Sequence, residues 1–228
     1  MTRVLAVNGS ARMGKGYTAM VLAPFIEGMK SAGAVVELIY PRGMKIEPCS
    51  GDFYCWDEKP GKCYRYDDMQ IVYPKLREAD ILVLATPVYV PLPGEMQNFL
   101  NRLVPLIDPK PLVWRGGRTR AKLREDVKIK KIVLVTVCGW FEFGNFGTVV
   151  RIVRELAADV GVDFPAPITR PHVYLLAKDD DKARAVLAGL KQAGSDLVKN
   201  GVVSKELLDV IGQPLISEEE YKKGMKVE

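Results

Sequence analysis

The sequence contains a single histidine, His172, in 228 residues. Triad hydrolases and most zinc enzymes work through imidazole, so this scarcity argues against both. Lying between Pro171 and the apolar run Val173-Tyr174-Leu175-Leu176, it reads as a structural residue. Acid–base poverty of this kind suits chemistry delegated to a bound cofactor. No uncharged apolar run approaches the ~18 residues that span a bilayer, and no basic, apolar leader precedes the first strand at residue 3, so a soluble cytoplasmic protein is expected. There is no repeat and no low-complexity segment. With 48% apolar residues the chain can bury a substantial core, and a single domain over residues 1–228 is the simplest reading. The net charge of +5 is spread among 28 acidic residues, and only residues 114–131 are locally basic, so no nucleic-acid partner is expected.

What is present begins with residues 3–18, RVLAVNGSARMGKGYT, which read as a buried strand, a polar glycine-bearing loop and the first turn of a helix. Such a junction aims backbone N–H groups and the positive helix end at one point, where a phosphate can sit. Arg12 and Lys15 add positive charge there.

Helical spacing over residues 17–32 ends at Gly33, and residues 34–40 read as a second strand stopped by Pro41-Arg42-Gly43. An irregular excursion over residues 41–66 carries three of the four cysteines. A helix capped by Asp67-Asp68 runs to Glu78, and residues 80–86 form a uniformly apolar strand of the kind covered on both faces. Met96, Phe99, Leu100 and Leu103 mark one buried stripe of a further helix. Residues 105–128 read as a long connection whose Arg115, Arg118, Arg120, Lys122 and Arg124 face solvent. Residues 131–137 are another buried strand, followed by a helix ending at Gly161, a short fifth strand within 161–169, a helix over 179–199, and a polar helical tail from about 203. Alternating strands and helices predict an α/β fold: a flavodoxin-like, doubly wound, five-stranded parallel sheet of order 2-1-3-4-5 with helices on both faces. A ligand then binds outside the carboxyl ends of the strands, where the loops at 9–18, 86–94 and 138–145 converge.

Two phosphate-binding signatures fail on inspection. The run from Gly9 to Gly16 nearly spells a Walker A loop, but Gly16 stands where magnesium needs a hydroxyl, and no strand supplies the second acidic contact. The dinucleotide fingerprint fails in its glycine spacing, and the second strand ends at Tyr40-Pro41 without a ribose-binding acid. A mononucleotide with its phosphate on Ser10, Arg12, Tyr17 and Thr18 remains.

The motifs Gly9-Ser-Ala-Arg12, Thr86-Pro-Val-Tyr89 and Cys138-Gly-Trp-Phe-Glu142 with Asn145-Phe146, in this order on successive strand ends, resemble those of the flavodoxin-like NADPH-dependent FMN reductases, including iron-sulfur flavoproteins. The resemblance implies FMN, with its phosphate on Ser10, Arg12, Tyr17 and Thr18. Thr86, Pro87, Val88, Tyr89 and Val90 would line ribityl chain and ring, and Cys138, Gly139, Trp140 and Phe141 would border the isoalloxazine. It implies an oxidoreductase that passes hydride from NAD(P)H to flavin and on to a quinone, flavin or other small electron acceptor, with the flavin itself carrying the chemistry and backbone amides of the two later loops tuning it. An FMN electron-transfer flavoprotein, with or without an iron-sulfur cluster, that is not reduced directly by NAD(P)H is the alternative. Relatives are often dimers, which implies a homodimer or higher homo-oligomer. The sequence departs from the iron-sulfur members in its cysteines: Cys49, Cys55 and Cys63 are accompanied by Asp52 at one expected ligand position. Three thiols and a carboxylate make a poor four-thiolate set, so no iron-sulfur cluster is expected, and the three read as free thiols in a loop near the flavin.

Overall fold

The computed structural model describes residues 1–165, 167–178 and 180–226. Five parallel strands form one sheet: β1 (Arg3–Asn8), β2 (Val35–Ile39), β3 (Ile81–Pro87), β6 (Lys131–Val137) and β7 (Ile168–Arg170), in the order β2-β1-β3-β6-β7. This is the doubly wound α/β order expected from the sequence. Register runs Val4↔Ile81 and Ile81↔Lys131, so the carboxyl ends of the central strands align along one edge.

The central strands are apolar on both faces because both are covered. Val4, Ala6, Val83, Ala85, Val133 and Val135 pack beneath α1 (Tyr17–Ser31) and α6 (Asp181–Asn200). Leu5, Val7, Leu82, Leu84 and Leu134 pack beneath α3 (Met69–Glu78), α4 (Gly94–Asn101) and α5 (Gly147–Val160). Asp179, the first residue of the span expected for α6, lies outside the described residues.

Helices α1 and α6 touch backbone to backbone. A Cβ on Gly28 would lie 1.8 Å from the Lys191 carbonyl oxygen, and one on Gly194 would lie 2.0 Å from that of Phe25. No rotamer change relieves a clash with a carbonyl, so Gly28→Ala must push the helices apart. Overpacking costs about 1 to 3 kcal/mol, and the helix-propensity gain of about 1 kcal/mol does not offset the upper end. We expect a lower urea midpoint for Gly28→Ala; an unchanged or higher midpoint would show that the crossing is slack.

Residues 105–128 are not the open connection expected from the sequence. They fold into an antiparallel hairpin, β4 (Ile107–Arg115) and β5 (Arg118–Leu123), turned by Gly116 and Gly117 at φ +58° and +75°. Two successive positive φ angles give the tight turn whose twist matches its strands, which glycine adopts without strain. Of the cations expected in solvent, Arg118 is exposed while Arg115, Arg120, Lys122 and Arg124 are partly buried, and the arginines fasten the hairpin. Arg115 donates to the Ala158 carbonyl, Arg118 and Arg120 to Glu155, and Arg124 to the carbonyls of Pro105 and Cys55.

Beyond the sheet, the expected polar tail is two helices, α7 (Lys205–Gly212) and α8 (Glu218–Met225), the latter opened by a Ser217/Glu220 capping box. Ile211 of α7, Leu215 between the helices and Tyr221 of α8 are buried, whereas Val210 and Met225 are exposed. Within the excursion, α2 (Tyr54–Asp57) is a single turn.

Candidate cofactor site

Residues following β1, β3 and β6 converge on a cleft of about 520 Å³ at the carboxyl edge of the sheet. At one end lies the loop after β1. Asn8 is buried and its Oδ1 accepts the Ser10 N–H, while Ser10 Oγ accepts the Arg12 N–H, so the loop is shaped by its own side chains. Gly16 precedes α1; a Cβ there would meet Ser10 Oγ at 2.9 Å and Arg12 Cβ at 3.0 Å, which explains glycine at this place. Ala19 and Met20 donate to the Gly16 carbonyl, whereas the opening N–H groups of Tyr17 and Thr18 have no intrahelical acceptor.

Charge at this end is unequally used. Arg42 is paired with Glu95, at the start of α4. Among the described residues Arg12 and Lys15 form no ion pair. A free guanidinium beside unpaired helix N–H groups and a hydroxyl is a donor set for a phosphate monoester.

Of the residues singled out from the sequence, Ser10, Arg12, Tyr17, Thr18, Pro87, Val88, Tyr89, Cys138 and Gly139 line this one cleft. Four others sit elsewhere. Thr86 is fully buried with its hydroxyl on the Pro87 carbonyl. Val90 is 84% exposed, ahead of the cis bond to Pro91. Trp140 is half exposed, and Phe141 stacks on His172 at 5.1 Å. Lining residues that sequence reasoning missed include Glu95, Val173 and Tyr174. Val173 and Tyr174 are carried in by the turn after β7, where periodicity offered only an apolar run.

The backbone amides expected to tune the ring are largely used by the protein. Val88 N–H donates to the Val137 carbonyl and joins two of the loops; Tyr89 N–H donates to Pro91, and Cys138 N–H to Arg170. Trp140 N–H points at Cys138 Sγ, 3.3 Å away. These N–H groups are therefore not free to donate into the cleft. Burial, ahead of any other influence, pushes the Cys138 thiol up, so it enters the cleft neutral.

Behind the cleft, His172 is buried, and burial followed by the Arg170 charge lowers its pKa from 6.5 to about 4. An unfolded histidine protonates near 6.5, so the stability that comes from keeping this ring neutral is complete above that pH and is lost as pH falls to about 4. We expect unfolding free energy to drop by about 2 to 3 kcal/mol across that window on this account alone. Urea midpoints measured between pH 7 and pH 4 check it, and His172→Gln should flatten the slope.

A second cavity, of about 270 Å³, lies in the excursion and is bordered by Cys49, Cys55 and Cys63 together with Asp52, Phe53 and Tyr64. Asp52 is already engaged, accepting from Ser50 Oγ at 2.5 Å and from Tyr54 N–H at 3.0 Å. Cys49 is exposed, Cys55 is buried with its thiol pushed up to about 11 by burial, and Cys63 Sγ accepts from Arg102 at 3.5 Å. Among the described residues no three His, Cys, Asp or Glu side chains are placed to share a metal ion. This donor set does not fit a four-thiolate cluster.

Residues 2–125 match the sequence model of the NADPH-dependent FMN reductases. The chain belongs to that family. Among curated members of related sequence, it is 33% identical over 101 residues to an iron-sulfur flavoprotein of Archaeoglobus fulgidus, covering 44% of this chain and 48% of that protein. It is 31% identical over 115 residues to an iron-sulfur flavoprotein of Methanocaldococcus jannaschii, covering 50% and 57%. The chain thus spans about half the length of the curated relatives it matches. Among solved structures it resembles an NAD(P)H:quinone oxidoreductase from Methanothermobacter marburgensis, with TM-score 0.58, 18% identity, and coverage of 86% of this chain and 96% of that one. An FMN-dependent NADH-azoreductase from Bacillus anthracis, solved in complex with FMN, aligns with TM-score 0.58 and 14% identity over 87% of this chain and 100% of that one. At these identities the structural likeness is one of fold, and the family is carried by the sequence match. No helix among the described residues is long and apolar enough to cross a membrane.

Proposed function

We propose that the chain is an FMN-dependent oxidoreductase that takes reducing equivalents from NAD(P)H and passes them to a quinone, a flavin or another small acceptor. The observation that carries this reading is the meeting of Arg12, without an ion pair among the described residues, the Ser10 hydroxyl and the opening N–H groups of α1 at one end of a cleft whose remainder is mainly apolar apart from Glu95. Those groups would hold a phosphate, and Pro87, Val88, Tyr89, Cys138, Gly139 and Tyr174 would wall in a flat ring. When bound there, FMN supplies hydride acceptance and onward electron transfer, which need no protein acid or base. Thr86, Val90, Trp140 and Phe141 then support or border the ring site without forming the wall itself. Tyr89 on the cleft is exposed, as are Val90 and Trp140 next to cleft-lining residues in sequence, and the three favour a homodimer or higher homo-oligomer that covers this rim. We read residues 1–228 as a single flavodoxin-like domain acting in the cytoplasm on small molecules, with no nucleic-acid partner.

The test is the anaerobic visible spectrum of the protein loaded with FMN, before and after NADPH. Bleaching of the flavin bands by NADPH is the expected result. Bands that resist both NADPH and NADH but vanish with dithionite would mean an electron carrier, and failure to bind FMN would sink the cofactor assignment.

A further inference from the structure

The C-terminal helices reach the cleft wall through one buried cation. Arg170, the last residue of β7, is completely buried, and among the described residues it has no carboxylate partner. Its guanidinium donates to the carbonyls of Ile211 (2.7 Å), Gln213 (2.9 Å) and Pro171 (2.9 Å), and to Nε2 of His172 (2.7 Å). The same Nε2 accepts the Leu215 N–H at 3.2 Å, so the ring proton resides on Nδ1. His172 holds a left-handed φ of +33°, which is costly for a residue with a Cβ. Its ring lies nearly parallel to that of Phe141 (18°), and Phe141 also meets Tyr221 of α8 at 5.2 Å.

Main-chain bonds extend this assembly to the cleft. His172 N–H donates to the Trp140 carbonyl (2.8 Å), Val173 N–H to Cys138 (3.1 Å), and Cys138 N–H to Arg170 (3.0 Å). Cys138, Gly139, Val173 and Tyr174 face the cleft; Arg170, His172 and Tyr221 do not. A buried cation without a counter-ion and a strained backbone both oppose folding, and apolar residues could join the helices to the sheet at less cost. What apolar packing would lack is the directional bonding that sets the two sides of this wall at a defined separation.

We propose that Arg170 and His172 are positioning residues of the flavin site: with Phe141 and Tyr221 they set the Cys138–Gly139 side of the wall against Val173 and Tyr174, which makes the C-terminal helices part of the cofactor site. The inference rests on the FMN reading above. It separates two effects, because the phosphate end of the cleft is built on α1 and does not pass through this assembly. Disturbing the clamp alters the ring environment while Arg12 and Ser10 stay in place.

The experiment is an FMN titration of the full chain as wild type, H172F, H172Q and Y221L, followed by the visible spectrum and midpoint potential of the bound flavin. H172F keeps a stacked ring but leaves the Arg170 guanidinium and the Leu215 N–H without their shared acceptor. It is expected to weaken FMN by about tenfold and to shift both the long-wavelength band and the potential. H172Q supplies an amide oxygen in place of Nε2 and should bind within about threefold of wild type with the native spectrum. Y221L, which leaves the Arg170 bonds untouched, should shift spectrum and potential in the direction of H172F, and it carries the test if H172F does not fold. Variants that fold and match wild type in affinity, spectrum and potential would overturn the proposal, as would H172Q behaving no better than H172F. A wild type that binds no FMN is a separate result, which overturns the functional reading and this inference with it.

Discussion

Arg12→Glu is expected to raise the dissociation constant for FMN by about a hundredfold or more, since a charge-assisted hydrogen bond contributes roughly 1.5 to 3 kcal/mol and each 1.4 kcal/mol is tenfold. The new carboxylate also repels the phosphate. The choice of this residue follows from its surroundings. Arg42, the neighbouring cation, is neutralised by Glu95, whereas Arg12 is exposed and unpaired at the mouth of the cleft. Because Arg12 is exposed and its guanidinium makes no hydrogen bond or ion pair among the described residues, folding stability should stay within about 0.5 kcal/mol of wild type. Arg12→Lys should fall between the two, keeping the charge and losing the planar fork. Lys15→Glu is the control: it lies in the same loop outside the cleft lining, so its effect is a screened, longer-range one and should shrink in high salt. Quenching of FMN fluorescence at two salt concentrations measures all three. Equal affinity for wild type and Arg12→Glu would place the phosphate elsewhere.

Arg102→Ala is expected to cost about 3 to 5 kcal/mol of stability, the range for removing one partner of a buried ion pair. Its side chain is 1% exposed and that of Asp67 is 0% exposed. The guanidinium makes a two-pronged contact with Asp67 at 2.6 and 3.0 Å and donates to the Glu47 carbonyl at 2.7 Å. Asp67 in turn accepts the N–H groups of Glu47 and Met69. The pair therefore pins both ends of the cysteine excursion to the end of α4, and deleting the cation strands a carboxylate in the interior. Urea unfolding checks the magnitude. Thiol labelling checks the location: Cys55, buried in the wild type, should react with a disulfide reagent much faster in the variant. Replacing both residues by leucine should recover much of the loss, because the desolvation cost disappears with the charges.

The same pair responds to acid with a definite sign. Burial alone would raise the Asp67 pKa, but the Arg102 hydrogen bond and the two backbone N–H groups outweigh it and hold the carboxyl below its ordinary value. Its contribution is therefore complete above the unfolded carboxylate pKa and is lost as pH falls through the depressed folded value, below the window in which His172 acts.

The parts of this protein legible in its sequence are those governed by local pattern. The apolar runs at 81–85 and 132–135 suit strands covered on both faces, and with helical spacing between them they imply a parallel doubly wound sheet. The loop of residues 9–18 was equally legible, because glycine, hydroxyl and cation placed between a strand and a helix have few other uses. Gly116-Gly117 was a readable turn signal, but the prolines and arginines around it resembled an open loop. Their pairing into a hairpin is backed by contacts from distant residues, Glu155 and Ala158 of α5 among them.

Other features have no local signature because they exist only between distant segments. Arg102 meets Asp67 across 35 residues, and Arg170 meets Ile211 across 41. In the sequence both arginines look like ordinary surface charges, since nothing nearby reports that the chain will close over them. Phe141 could be assigned to a ligand wall by its place after a strand, yet its partners are His172 and Tyr221. The sequence by itself determined the sheet, its order and the edge at which the cleft opens, because these follow from hydrophobic period and strand–helix alternation. Only tertiary structure decided which side chains face the cleft, which cations are buried and what holds the far wall, because those depend on long-range burial and hydrogen-bond partners that no spacing rule encodes.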